Sequence, residues 1–113
     1  MQRLNVEYSR IDERGTLIQI NTGVWKQINY LSIKKNQSFG GHYHKHKKEL
    51  FYVLRGFINM EIEKDNLHYC LPVKKGQCFL VEPYETHTIF ADRNSELIEL
   101  LSESFSKKDT CRK

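Results

Sequence analysis

The chain has 113 residues, of which 39% are hydrophobic and 28% are charged, and its formal net charge is +4 at pH 7. This length predicts one domain that buries a hydrophobic core without disulfides or a structural metal. No stretch approaches the roughly 20 apolar residues of a membrane span, and residues 1–15 lack the apolar core of a signal peptide. We therefore expect a cytoplasmic protein that does not enter a membrane.

The positive charge is concentrated in the last eight residues, SKKDTCRK (106–113), which carry +3 of the net charge. A nucleic-acid-binding domain gathers its basic residues on one folded face, whereas a polar segment at a chain end is prone to fraying. We therefore predict a single domain over residues 1–105, a flexible basic tail over 106–113, and no nucleic-acid partner.

Short runs rich in Val, Ile, Leu, Tyr and Phe follow one another along the chain, and helical periodicity is nearly absent. The predicted strands are TLIQI (16–20), VWKQINYLSI (24–33), ELFYVLR (49–55), FINMEIE (57–63), LHYCLPV (67–73), CFLVE (78–82), THTIFA (86–91) and ELIELLS (96–102). Many short strands separated by turn residues predict an all-β antiparallel sandwich or barrel. The last run also fits a short helix, but we prefer a strand.

The stretch GGHYHKHKKELFYVLRG (40–56) places three histidines at alternate positions, followed by a carboxylate. Side chains two residues apart in a strand share a face, so we expect His42, His44 and His46 to point the same way. By the same alternation, Glu49 shares a face with apolar residues of the next predicted strand.

A carboxylate on an apolar face is costly to bury alone, but two imidazoles and a divalent cation would compensate it. Imidazole and carboxylate together suit Zn, Fe, Mn or Ni. His87, near the start of a later strand, is the candidate for a third imidazole. The competing interpretation is a solvated basic loop that happens to hold histidines. His68 stands alone and is predicted to be structural or exposed.

The predicted strand over 49–55 is apolar on both faces beyond its first residue. A barrel interior takes only one face, and an uncovered outer row of Leu50, Tyr52 and Leu54 would be a large apolar patch. We therefore expect this row to lie at a homodimer interface or under a second sheet. Trp25 fits either the same surface or the barrel interior.

The stretch HYHKHKKELFYVLRG resembles the first motif of the cupin family, which is His-x-His, four residues, Glu, six residues and Gly. His42, His44, Glu49 and Gly56 occupy these positions without a gap. The four-residue gap favours the first two histidines, rather than His44 and His46, as the chelating pair.

The second cupin motif places a glycine eleven residues before a histidine, as Gly76 and His87 do. This chain departs from that motif at three positions. Glu82 replaces a proline, Tyr84 replaces the turn glycine and Ala91 replaces the closing asparagine.

The resemblance spans residues 12–102 and implies a cupin-type double-stranded β-helix, a jelly roll. It also implies one divalent metal ion (Zn, Fe, Mn or Ni) held by His42, His44, Glu49 and His87.

DERGTLIQI (12–20) and YLSIKKNQSFGGHYHK (30–45) are similar to small cupins that isomerise or epimerise nucleotide-linked keto-sugars. They are also similar to cupin domains of bifunctional capsular-polysaccharide enzymes. The first group usually has glutamine at the position of Glu49 and generally lacks metal, whereas the second keeps the carboxylate and the later histidine and binds metal. This chain follows the second pattern.

The resemblance thus implies a metal-assisted isomerase or epimerase that acts on a nucleotide sugar or a similar carbonyl substrate. Such a reaction needs a base that removes a carbon-bound proton, for which His46 and Tyr84 are the candidates. His46 fits equally well as a residue that orients a ligand or as an exposed side chain. Two alternatives stay open, namely another metal-dependent cupin enzyme such as an iron dioxygenase, and a non-catalytic binding or sensing cupin.

Overall fold

Twelve β-strands and one short 3-10 helix make up the part of the chain that the computed structural model describes, residues 1–112. The strands are β1 (Gln2–Leu4), β2 (Tyr8–Asp12), β3 (Gly15–Gln19), β4 (Gln27–Ile33), β5 (Ser38–His44), β6 (Glu49–Arg55), β7 (Phe57–Lys64), β8 (Leu67–Lys74), β9 (Cys78–Val81), β10 (Thr86–Ala91), β11 (Ser95–Leu101) and β12 (Thr110–Arg112), with the 3-10 helix at Lys107–Asp109. All eight strands predicted from the apolar runs are present, and β11 is a strand rather than the alternative helix. Within these residues, no helix is long and apolar enough to cross a membrane.

Ten of the twelve strands form two antiparallel sheets, with the orders β1-β9-β6-β11-β4 and β12-β5-β10-β7-β8. One hydrophobic cluster takes residues from both sheets, which shows that the sheets pack face to face. It includes Phe51 and Phe79 from the first sheet and Ile58, Met60 and Ile89 from the second. The predicted all-β jelly-roll architecture is therefore confirmed.

The outer row of β6 is covered by the same chain rather than left bare. Leu50 and Tyr52 are 1% and 6% exposed, and Leu4, Ile20 and Trp25 from the N-terminal segment pack against their cluster. This places Trp25 on the outer surface of the sheet and not in the barrel interior. Because the chain itself covers the apolar row of β6, this row does not predict a partner subunit.

The residues predicted to form a tail fold back onto the domain. Thr110–Arg112 pairs antiparallel with the histidine-bearing end of β5. Asp109 is buried, and its Oδ1 accepts hydrogen bonds from the backbone N–H groups of Lys45 and His46, at 2.8 and 3.0 Å. The expectation of a segment separate from the domain is thus corrected for residues 107–112. Lys113 lies outside the described residues.

A glycine allows β5 to approach β10 closely beside the histidines. Gly40 has φ +120°, and a Cβ there would collide with the carbonyl oxygen of His87. The β5–β10 register shifts between His87 and Thr88, directly opposite this glycine. Gly40 therefore permits the pairing that brings His42 next to His87.

Candidate functional site

The two sheets enclose a cavity of about 230 Å³. Its polar groups come from β4, β5, β6, β10, β11 and β12 and from the loop between β5 and β6, and apolar side chains fill the walls between them. The lining residues are Gln27, Asn29, Leu31, Phe39, Gly40, His42, His44, Lys47, Glu49, Phe51, His87, Ile89, Glu99, Leu101, Phe105 and Thr110.

Strand alternation and strand pairing bring the four predicted metal ligands together. His42 and His44 lie two residues apart on β5, and His87 of β10 is paired with His42. Glu49 is the first residue of β6. One potential ligand atom from each of the four residues lies within 4.8 Å of those from the other three. The convergence predicted from motif spacing is therefore present.

Two of the three imidazoles have their orientation fixed by backbone carbonyl groups. His44 Nδ1 lies 2.9 Å from the carbonyl oxygen of Asp109, and His87 Nδ1 lies 3.1 Å from that of Glu85. A carbonyl oxygen only accepts hydrogen bonds, so the proton of each neutral ring is on Nδ1. Each Nε2 lone pair is then directed elsewhere, which is the arrangement that metal-binding histidines adopt.

Both of these Nε2 atoms face the carboxylate of Glu49. His44 Nε2 contacts Oε1, and His87 Nε2 lies 3.5 Å from Oε2. Glu49 is 1% exposed, and within the described residues neither of its oxygens has a hydrogen bond of acceptable geometry. The lone pairs of the two Nε2 atoms thus face the lone pairs of the carboxylate oxygens. This arrangement is stable only with a cation between them, either a proton or a metal ion.

The pKa shifts show how a cation would be held here. Burial acts to lower the pKa of His87, but the hydrogen bond and charge of Glu49 outweigh it and raise that pKa, so a proton on His87 is the alternative to a metal ion. Burial acts to raise the pKa of Glu49, but the adjacent imidazoles of His44 and His87 outweigh it and hold the pKa well below its usual range. Burial and the neighbouring His87 lower the pKa of His42 to about 4, so this imidazole is neutral at pH 7. An ionised carboxylate and a neutral imidazole are the forms that bind a metal ion.

A second carboxylate, Glu99 on β11, lines the cavity without belonging to the cluster. Asn29 Nδ2 donates to Glu99 Oε1 at 2.8 Å, and Gln27 Nε2 donates to Asn29 Oδ1 at 3.1 Å. Burial, followed by the charge of Glu49, raises the pKa of Glu99 to about 7. The sequence analysis missed Glu99, although its alternation with Leu97 and Leu101 is the signal that identified Glu49.

The structure separates the two predicted catalytic residues from the cavity. β5 ends at His44, and His46 is exposed in the following loop, so the expectation that it shares the face of His42 and His44 is wrong. The cause is the turn into β6, where Asp109 binds the His46 backbone. Tyr84 is 55% exposed and stacks on Tyr43, with ring centroids 6.0 Å apart, outside the cavity.

Two further residues remain, namely His68, which the sequence analysis placed outside the site, and Lys47, which it overlooked. His68 Nε2 lies 2.9 Å from Glu61 Oε1 on the exposed surface, as predicted for a histidine outside the site. Lys47 is 1% exposed and lines the cavity. In the sequence it stands within the basic run 45–48, which gives no signal that one of its lysines is buried.

Comparison with known proteins gives a family and a fold for this chain. Residues 10–110 match the family model described as the polysaccharide biosynthesis C-terminal domain. A search of the curated proteins found no match.

Several solved structures share the fold. The TDP-quinovose 3,4-ketoisomerase WlaRB from Campylobacter jejuni matches with a TM-score of 0.88 and 16% identity over 99% of this chain and 92% of that one. The 3,4-ketoisomerase QdtA from Thermoanaerobacterium thermosaccharolyticum, in complex with TDP, matches with a TM-score of 0.86 and 19% identity over 96% of this chain and 85% of that one. CapF with an inhibitor matches with a TM-score of 0.71 and 23% identity, over 93% of this chain but 33% of the longer CapF chain.

These likenesses establish the fold, and the family match covers nearly the whole domain. The chain belongs to the polysaccharide biosynthesis C-terminal domain family, and it has the cupin-type jelly-roll fold that its sequence predicts.

Proposed function

We propose that this chain is a metal-binding isomerase or epimerase that acts on a nucleotide-linked keto-sugar. The observation that carries the proposal is the buried Glu49 carboxylate, whose two oxygens face the Nε2 atoms of His44 and His87 inside a cavity. The polysaccharide biosynthesis family, and solved structures of TDP-sugar ketoisomerases with the same fold, support a nucleotide sugar as the substrate.

His42, His44, Glu49 and His87 would hold the divalent cation, and their chemistry suits Zn, Fe, Mn or Ni. When bound, such a cation polarises a carbonyl oxygen and so acidifies the neighbouring C–H bond. The cavity of about 230 Å³ is smaller than the roughly 300–1,000 Å³ of pockets for drug-sized ligands. It therefore fits one sugar ring, with the nucleotide outside.

Glu99 is better placed than His46 or Tyr84 to move the proton. It lines the cavity, Asn29 fixes one of its oxygens, and it is not among the four cluster residues. In the proposed step, Glu99 accepts the proton from the carbon next to the keto group. Return of a proton to the former carbonyl carbon, with transfer of the proton of the adjacent hydroxyl group to the enolate oxygen, gives isomerisation. Return of the proton to the opposite face of the original carbon gives epimerisation.

Hydrogen exchange with solvent tests this function directly. We expect the purified protein to contain one divalent metal ion per chain and to exchange the C–H proton of TDP-4-keto-6-deoxyglucose for deuterium in D2O, as followed by proton NMR. Exchange should stop when a chelator removes the ion and resume when the ion is restored.

Two other results would replace this proposal with one of the alternatives. Redox-active iron together with oxygen consumption, and without C–H exchange, would favour a dioxygenase. Saturable binding of a nucleotide sugar with neither exchange nor product would favour a binding or sensing module.

We also propose that the protein is a homodimer, now for a different reason. The β2–β3 hairpin is a two-stranded sheet with no third strand among residues 1–112, and such hairpins are marginally stable alone. It leaves Ile11 and Leu17 80% and 41% exposed.

We expect light scattering to give the mass of a dimer, and Ile11→Arg to shift it towards the monomer. Leu67→Arg, at an exposed site on β8, is the control, and a monomeric wild type at micromolar concentration would refute the dimer.

A further inference from the structure

Lys47 is a buried charged residue to which the proposed reaction gives no role. Its side chain is 1% exposed and lines the same cavity as the four predicted metal ligands. The adjacent Lys48 is exposed. The burial of Lys47 is thus specific to one lysine of a basic run and is not a property of the whole loop.

The ammonium of Lys47 has no counter-charge at ion-pair distance among the residues that the structure describes. Within residues 1–112 it makes no ion pair and no hydrogen bond, and its Nζ lies 5.3 Å from the centroid of the Phe105 ring, a cation–π contact. Removing most of the water around an ammonium without supplying a counter-charge is costly. A single cation–π contact offsets only part of that cost, so the missing partner should be something that enters the cavity.

The charge of the cavity indicates an anionic partner. A divalent cation and Lys47 would together supply three positive charges. The carboxylates that line the cavity, Glu49 and Glu99, supply at most two negative ones. With the cluster histidines neutral, the loaded site has a net positive charge and would favour a negatively charged group on the ligand.

The position of Phe105 indicates which part of the ligand carries the negative charge. Phe105 is 58% exposed and lines the cavity, so it marks the end that opens to solvent. Its backbone N–H donates to Gln27 Oε1 at 2.8 Å, which fixes the loop after β11 at this opening. A ring bound next to the histidines would extend its attached group past Lys47 towards the solvent.

We infer that Lys47, packed against Phe105, forms the subsite for a phosphate oxygen of the diphosphate that joins the sugar to its nucleotide. This inference rests on the proposed function, because it takes a nucleotide sugar as the ligand. The ammonium donates a charge-assisted hydrogen bond to the phosphate, and the excluded water strengthens the contact.

Calorimetric titration with TDP, thymidine and inorganic pyrophosphate tests the subsite at matched metal content. Lys47→Met removes the charge but keeps an apolar stem, and Lys48→Met is the matched control with the same net charge. We expect Lys47→Met to weaken binding of TDP and pyrophosphate roughly 10- to 100-fold. Lys48→Met should stay within about twofold, because an exposed charge is screened. Lys47→Arg should retain most of the affinity, and thymidine should bind all variants equally.

The outcomes separate this inference from the proposed function. Equal TDP affinity in Lys47→Met and wild type would overturn the subsite, and so would an equal loss for thymidine and TDP, which indicates a merely structural role. Failure of the wild type to bind either TDP or pyrophosphate would also overturn it, while C–H exchange on the keto-sugar decides the function independently. Lys47-dependent pyrophosphate binding without C–H exchange would support the anion subsite and refute the isomerase. Thermal unfolding of Lys47→Met verifies that the fold is retained.

Discussion

Replacing Glu49 with glutamine is expected to lower the affinity for a divalent cation by at least about 100-fold, because residues that merely orient metal ligands already contribute 10- to 100-fold. The substitution keeps the shape of the side chain and removes the negative charge that faces both His44 and His87. Competition with a chromophoric chelator measures the affinity. In the metal-free protein at pH 7, Glu49→Gln should unfold at a lower temperature than wild type, because the lowered pKa of Glu49 means that its ionised form stabilises the folded state.

The surface pair of Glu61 and His68 supplies a matched control for this experiment. These residues also form a carboxylate–imidazole contact, at 2.9 Å, but on the exposed surface of the second sheet. Glu61→Gln should therefore leave metal affinity and thermal stability almost unchanged, since exposed pairs contribute little. Unaltered metal binding in Glu49→Gln would contradict the proposed ligand set.

Glu99→Gln is expected to slow C–H exchange on the keto-sugar by roughly 10²- to 10⁴-fold, the usual contribution of a general base. The glutamine amide cannot accept the proton, yet its oxygen can still accept the hydrogen bond from Asn29 that positions the wild-type side chain. Metal content should stay at the wild-type level, because Glu99 is outside the cluster of four. Single-turnover NMR in D2O gives the exchange rate, and metal analysis gives the content.

Glu96→Gln is the control on the same strand. Glu96 lies near the rim of β11, where its carboxylate is 3.9 Å from Arg55 and far from the histidines along the strand. Its substitution should not change the exchange rate. Full exchange activity in Glu99→Gln would assign the base to another residue, and loss of metal from that variant would show that Glu99 supports the cluster instead.

The sequence predicted the strands whose apolar residues alternate between two buried faces. ELFYVLR gave the bounds of β6 because its first residue is a buried carboxylate and a glycine follows its last. Four strands, β1, β2, β5 and β12, are not among the predicted runs. β1 and β12 are short and mostly polar, and they are held by pairing with β9 and β5, which lie far away in the sequence. Local patterns do not contain that information.

The candidate site shows the same division between local and distant causes. The spacing of His42, His44 and Glu49 is local, so the first motif predicted their convergence. The second motif predicted His87 as the third imidazole, and the pairing of β10 with β5 brings it to the others. The fate of His46 depends on Asp109, which is 63 residues away and captures its backbone N–H. The burial of Lys47 depends on Phe105 in the same way. Tertiary contacts of this kind decided where the sequence analysis went wrong.

The hydrogen bond between His44 and the Asp109 carbonyl group has a consequence for the order in which the site matures during synthesis. The ribosome translates all four predicted ligands, His42, His44, Glu49 and His87, before it reaches Asp109. Until the ribosome has passed residue 109 and β12 has paired with β5, the His44 ring lacks the acceptor that fixes its proton on Nδ1. A nascent chain that has already formed β5, β6 and β10 would therefore present an incompletely oriented set of ligands. High-affinity metal uptake should accordingly begin only after the segment around Asp109 has left the ribosome.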